Sequence, residues 1–251
     1  MENLFNIFLA GEVVVPTNPT EFTFWIGAMA MGAASVFFLL SLDAGGGKWR
    51  NSMLVSALIT GIAAVHYLYM RDAYAAMGDE GVTAFRYVDW ILTVPLMCVE
   101  FYLILQKAGA QKSLLWNMIF LSTVMLVTGY FGESGVTGVL DAQIWGAISG
   151  AAYFVMAYEV GCLTIFGGPT GAVGKALSSG AGKIPAAGRM LQWFVLVGWA
   201  IYPIGYMAGT AEGMWYSFVD IGAGPMNIIY NLGDAVNKIG FGMAVWYAAK
   251  S

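Results

Sequence analysis

The sequence predicts an all-α membrane protein, a single seven-transmembrane-helix bundle with its N-terminus outside and its C-terminus in the cytoplasm. Three observations carry that expectation. The 251 residues are 59% hydrophobic and only 10% charged, far from the averages of soluble domains. Seven apolar stretches reach the length of about 20 residues that crosses a bilayer as a helix. The remaining charges are segregated. Lys48, Arg50, Lys107, Lys112, Lys175, Lys183, Arg189 and Lys250 fall on one side of this topology, and acids dominate the other, Arg71 excepted. The positive-inside rule sets the basic side in the cytoplasm.

In chain order, the first apolar stretch, Leu4–Val15, is preceded by Glu2 where a signal peptide would be basic, and is interrupted by Glu12. It reads as an extracellular segment packed on the bundle rather than a leader or a span. The spans are then Phe22–Leu42, Ser52–Met70, Ala84–Leu105, Leu114–Tyr130, Ile144–Phe166, Met190–Gly209 and Ile221–Ala249. Connections are short except Gly167–Gly188, whose Gly, Ser and Ala content predicts a mobile link. No repeat or linker divides the chain, so residues 1–251 form one domain. Cys98 and Cys162 fall in spans and read as small buried residues rather than a disulfide. The net charge of −4 says little about partners because the charges are split between two sides, and no basic cluster suggests nucleic acid. Membrane lipid is the expected surrounding, in the inner (plasma) membrane.

Two constellations carry chemistry. In the last span Asp234 and Lys238 stand at i, i+4 and share a helix face. An ammonium in hydrocarbon is costly and is by default functional and paired, and a buried lysine beside a carboxylate can hold a Schiff base with a carbonyl compound. A structural ion pair between packed helices is the alternative. The third span carries Arg86, Asp89, Thr93 and Glu100 on one stripe, with Asp89 and Glu100 separated by roughly 16 Å along the axis. Two intramembrane carboxylates at different depths are what a proton relay requires. Against that, Glu100 could reach the surface and Asp89 could merely neutralise Arg86.

The run RYVDWILTVPLMCVEFYLIL, with GWAIYPIGY at 198–206 and IYNLGDAVNKIGFG at 229–242, resembles the microbial rhodopsins, and within them the proteorhodopsin and xanthorhodopsin group of light-driven outward proton pumps. The resemblance extends over all seven spans. It implies all-trans retinal on Lys238 as a protonated Schiff base, Asp89 as primary counterion and proton acceptor, Asp234 as second counterion and Glu100 as cytoplasmic proton donor. Thr93 completes the Asp-Thr-Glu pattern of proton pumps, and Arg86 matches the arginine that organises the extracellular half, expected to help hold the two aspartates ionised.

The same resemblance implies a retinal pocket walled by Trp90, Trp199, Tyr202, Pro203 and Tyr206, with Met125, Gly129, Ser149 and Tyr153 as further wall positions. Without it, aromatic stripes at helical spacing are ordinary packing. Met97 matches the colour-tuning position, where an apolar residue implies green absorption. His66, the one histidine, matches a residue that bonds the primary acceptor and meets a neighbouring protomer's tryptophan. Trp25 matches that tryptophan, so the resemblance implies a homo-oligomer, a pentamer or hexamer. Gly146 matches a glycine that opens a window for a hydroxylated carotenoid antenna, or else reflects close helix packing.

A photosensory rhodopsin signalling through a partner would use the same chromophore without needing Glu100. An anion pump should lack the acid at Asp89, and a sodium pump would show an Asn-Asp-Gln pattern. For an enzyme using Lys238, neither a water-accessible substrate site nor a second catalytic group is evident in the sequence, so no enzymatic activity is expected; nor is a metal site.

Overall fold

A computed structural model describes residues 18–161, 173–174, 177–178 and 180–250. The expected extracellular segment Leu4–Val15, together with Cys162 and Lys175, lies outside the described residues. Seven long helices follow one another: α1 (Pro19–Leu40), α2 (Arg50–Met77), α3 (Thr83–Gln106), α4 (Lys112–Ser134), α5 (Ala142–Glu159), α6 (Ile184–Gly209) and α7 (Ala223–Ala249). Among the described residues the regular structure is entirely helical.

Local chemistry explains where these helices begin. Asn18 caps α1 by accepting the Glu21 N–H at 3.0 Å, with Pro19 in the first turn, where its missing N–H costs nothing. Pro185 plays the same part in α6, so that helix starts more than a turn before the expected Met190, and residues 184–188 are helical rather than part of the link. The α2 helix likewise runs on past Met70 to Met77, carrying Arg71, which pairs with Asp72 at 2.8 Å. Between α1 and α2, Gly45, Gly46 and Gly47 adopt φ of 61°, 64° and 79°, a left-handed run that other residues would enter only under strain.

Five of the seven helices are apolar and long enough to cross a membrane by length and composition alone. The other two are α5 and α7. The α7 helix falls short because Asn227, Asn231, Asp234, Asn237 and Lys238 all point into the bundle, none more than 4% exposed. Its other face is apolar and exposed, with Leu232 and Val236 outward. Each helix from α1 to α4 packs on its successor, α6 packs on α7, and α7 closes the ring against α1 and α2. The α3 helix touches α2, α4, α6 and α7, which makes it the central support of any site. Small residues let α1 approach α2: a Cβ on Gly27 would come within 2.9 Å of the Tyr67 ring.

The α6 helix widens into a π turn at Phe194–Gly198. Such a turn frees backbone carbonyls that hydrocarbon cannot satisfy, and neighbouring side chains take them up. Tyr153 Oη donates to Leu196 O at 2.7 Å and Asn237 Nδ2 to Gly198 O at 3.0 Å. One end of the bundle gathers basic and aromatic residues. Lys107 lies 4.3 Å over the Trp49 ring and donates to Lys48 O, while Lys183 lies 4.8 Å over Tyr247 and donates to Lys250 O. The opposite end holds Asp72 and Asp79, at the far end of α2.

Candidate functional site

The polar residues of α7 are ordered by helical geometry. Asn227, Asn231, Asp234 and Lys238 are three or four positions apart and stack along one face. Lys238 Nζ donates to Asp234 Oδ2 at 2.5 Å and to Asp89 Oδ2 across from α3. The three side chains are at most 1% exposed. Removing one partner from such a buried group costs about 3–5 kcal/mol, because the other charge is left uncompensated. Asp234 is satisfied further by Tyr67 Oη at 3.1 Å and Tyr202 Oη at 2.9 Å.

The remaining expected residues surround this cluster unevenly. His66 Nδ1 lies 3.4 Å from Asp89 Oδ1, near but not aligned as a hydrogen bond. Thr93 Oγ1 donates to the Asp89 backbone carbonyl at 2.8 Å rather than to its carboxylate. Arg86, expected to help hold the two aspartates ionised, donates to Asn227 Oδ1 at 2.7 Å and to Asn231 Oδ1 at 3.4 Å. The amides of α7 reach it first, because they stand one and two turns before Asp234 on the same face.

Glu100 is fully buried and so does not reach the surface; Ser56 Oγ of α2 donates to its Oε1. It touches none of the charges at Lys238. Beyond Lys238 in that direction, Phe241 stacks with Trp199 at 6.2 Å and meets Phe101 edge-on at 6.3 Å, an apolar plug across the bundle.

A cavity of about 760 Å³ opens among α3, α4, α5 and α6. Of the positions named above as walls, Trp90, Met125, Ser149, Tyr153, Tyr202, Pro203 and Tyr206 line it, and so does Gly146, named above as a window. Trp199, Met97 and Gly129 do not; Met97 is buried in the core, and Gly129 instead lets the Tyr87 hydroxyl approach. Cavity and charged cluster share a wall, since Trp90 follows Asp89 in α3 and the Tyr202 hydroxyl bonds Asp234 while their rings meet at 4.7 Å. The Tyr206 ring lies against Gly146, where a Cβ would come to 2.5 Å from it. Trp25 is 40% exposed on the outer surface of α1.

Sequence reasoning missed Ser56, Tyr67, Asn227 and Asn231, and the pair in which Tyr87 Oη donates to Glu133 Oε2 at 2.8 Å. The asparagines had a readable signal in their spacing from Lys238. Ser56 and Tyr87 had none, because their partners lie on other helices.

A primary amine held between two carboxylates beside an aromatic-walled cavity can condense with a long apolar aldehyde and exchange protons with either acid. Known proteins share the arrangement's scaffold. The chain is 39% identical to a green-light absorbing proteorhodopsin of Gamma-proteobacterium EBAC31A08, covering 92% of this chain and 86% of that one. It is 42% identical to a blue-light absorbing proteorhodopsin of Gamma-proteobacterium Hot 75m4, covering 90% and 84%. Among solved structures it superposes on a blue light-absorbing proteorhodopsin from Med12 with a TM-score of 0.74 at 35% identity, over 92% and 98% of the two chains. It superposes on xanthorhodopsin, described as a light-driven ion pump with dual chromophore, with a TM-score of 0.71 at 26% identity and 92% coverage of each. The family model of bacteriorhodopsin-like proteins matches residues 18–251, and this multi-pass membrane protein belongs to that family of microbial rhodopsins.

Proposed function

We propose that this protein is a light-driven outward proton pump, with Asp89 as proton acceptor and Glu100 as proton donor on the opposite side of Lys238. The observation that carries the reading is the asymmetry along α3: Asp89 in contact with Lys238 Nζ, and Glu100 buried with the Ser56 hydroxyl as its side-chain partner. The residues fit retinal, because Lys238 offers an amine with its charge already balanced and the adjoining cavity is apolar and aromatic. All-trans retinal, bound covalently to Lys238, supplies absorption of visible light and a photoisomerisation that alters the surroundings of Nζ.

The chain's own groups then account for the proton path. Asp89 stays ionised while a positive nitrogen sits beside it and accepts a proton at Oδ2 when that contact is broken. Asp234, anchored by Tyr67 and Tyr202, remains as the fixed negative partner. Glu100 keeps its proton in dry surroundings, with the Ser56 hydroxyl orienting it, and returns a proton to Nζ afterwards. The N-terminus lies outside, so Glu100 faces the cytoplasm, consistent with the basic residues gathered at that end. Trp90, Tyr202 and Pro203 shape the cavity wall around the chromophore, and Met97 sets an apolar, green-absorbing surrounding.

Copies assemble as a pentamer or hexamer in which the exposed Trp25 of one meets the half-buried His66 of the next. Gly146 gives a hydroxylated carotenoid access to the cavity; adding such carotenoids to purified protein should induce a vibronically structured band. Illuminating a suspension of cells that make the protein with retinal should acidify the medium, and a protonophore should abolish the effect. Absence of acidification with an intact pigment would instead favour a photosensor, for which Glu100 has no use.

A further inference from the structure

Arg86 is a cation 4% exposed whose polar partners are neutral. It donates to Asn227 and Asn231 and lies 4.8 Å over the Tyr230 ring. Among the described residues it forms no direct ion pair. The charge is answered one step further on. Asn227 Nδ2 donates to Asp79 Oδ1 at 2.5 Å, in the turn Gly78–Gly81 that joins α2 to α3. The amide thus presents its oxygen to the guanidinium and its N–H to the carboxylate, so both of its hydrogen bonds are charge-assisted and its dipole is aligned between the two charges.

We infer that Asp79, acting through Asn227, is a positioning residue that holds Arg86 towards the α2–α3 turn and keeps its charge away from the Asp89–Asp234 pair. The inference rests on the proposal that Asp89 is the counterion whose protonation shifts the visible band. Titratable and charged groups facing that pair are His66 and Tyr67 from α2, Arg86 from α3, Tyr202 from α6 and Lys238 from α7. Arg86 is the one whose distance from the pair is set by a removable link. It stands about one turn from Asp89 on α3, so freeing it lets its charge approach the pair, with Glu133, held by the Tyr87 hydroxyl, the other anion near it. A unit charge brought from about 8 Å to about 5 Å at an effective dielectric of ~20 shifts a titration by about one pH unit. A nearer cation favours the carboxylate, so more acid is needed to protonate Asp89 and the midpoint falls.

The test is a pH titration of the visible absorption of the full-length, retinal-loaded protein. Asp79→Asn and Asn227→Leu should each lower the acid midpoint by about one pH unit. The double variant should fall no further than either single one, as expected of two residues in one link. An unchanged midpoint in Asn227→Leu, or shifts that add in the double variant, would overturn the inference, the latter meaning that Asp79 acts only through its own charge. Where Asp79→Asn forms no pigment, Asn227→Leu decides alone by the same criterion. Asp89→Asn serves as the control: a transition that survives it refutes Asp89 as the titrating counterion, a separate failure from that of Asp79.

Discussion

On the Arg86 side of Lys238 the bundle is wired with linked polar side chains; on the Glu100 side the acid has a single side-chain partner. From Asp234 the polar groups run through the Tyr67 hydroxyl, which also meets the Asn231 backbone carbonyl, and on through the Asn231 side chain, Arg86 and Asn227 to Asp79, with contacts of 2.5–3.5 Å. From Glu100 a single side-chain hydrogen bond leads to Ser56, and Phe101, Trp199 and Phe241 fill the space towards Lys238. Two acids on one helix therefore meet opposite surroundings. A polar network lets charge be redistributed at small cost, whereas an apolar plug makes proton passage depend on a change of packing. On the proposed pumping reading, the difference supplies a physical basis for transport in one direction.

The contrast can be broken most completely at its centre. Lys238→Ala should form no visible band when retinal is added, since neither half has anything to serve without the amine; a pigment of normal colour would end the whole account. Asp89→Asn should keep a pigment but reduce light-driven acidification by about 10²-fold or more, the range a positioned proton-transfer group contributes. On the Glu100 side, Glu100→Gln should slow recovery of the dark state after a flash by about 10²-fold. Ser56→Ala should slow it roughly fivefold, reflecting loss of one hydrogen bond. Recovery as fast as the unaltered protein in Glu100→Gln would remove that residue from the path.

Smaller effects sharpen the comparison. His66→Ala should move the acid midpoint of the visible band without abolishing it, and matching midpoints would take His66 out of the Asp89 surroundings. Met97→Gln should shift the absorption maximum to the blue with transport retained; an unmoved maximum would refute the colour-tuning role proposed for it.

Much of this was legible before any coordinates. Hydropathy and charge segregation located seven helices, including α7, because Asp234 and Lys238 interrupt an otherwise apolar stretch at a spacing only a helix makes sense of. The ends of α2 and α6 were misjudged for an identifiable reason. Amphipathic turns such as Arg71–Met77 and Ile184–Arg189 continue a helix beyond its apolar stretch, and hydropathy sees only the latter. Charged site residues announced themselves through the cost of burying a charge. Neutral partners such as Tyr67, Ser56 and Asn227 carry a weaker signal, since an amide or hydroxyl in a span has many ordinary uses. Arg86 shows the limit most plainly: its place in α3 was evident, but its choice of amides over carboxylates is made by the register of α7 against α3.

The wide turn at Phe194–Gly198 has a mechanical consequence. Because the carbonyls of Leu196 and Gly198 are held sideways by Tyr153 and Asn237, while Phe194 O still accepts from the Trp199 N–H, the halves of this rod are joined by a looser turn than a straight rod has. Tilting one half requires two side-chain contacts to be traded, while a straight rod would have to rupture its internal ladder.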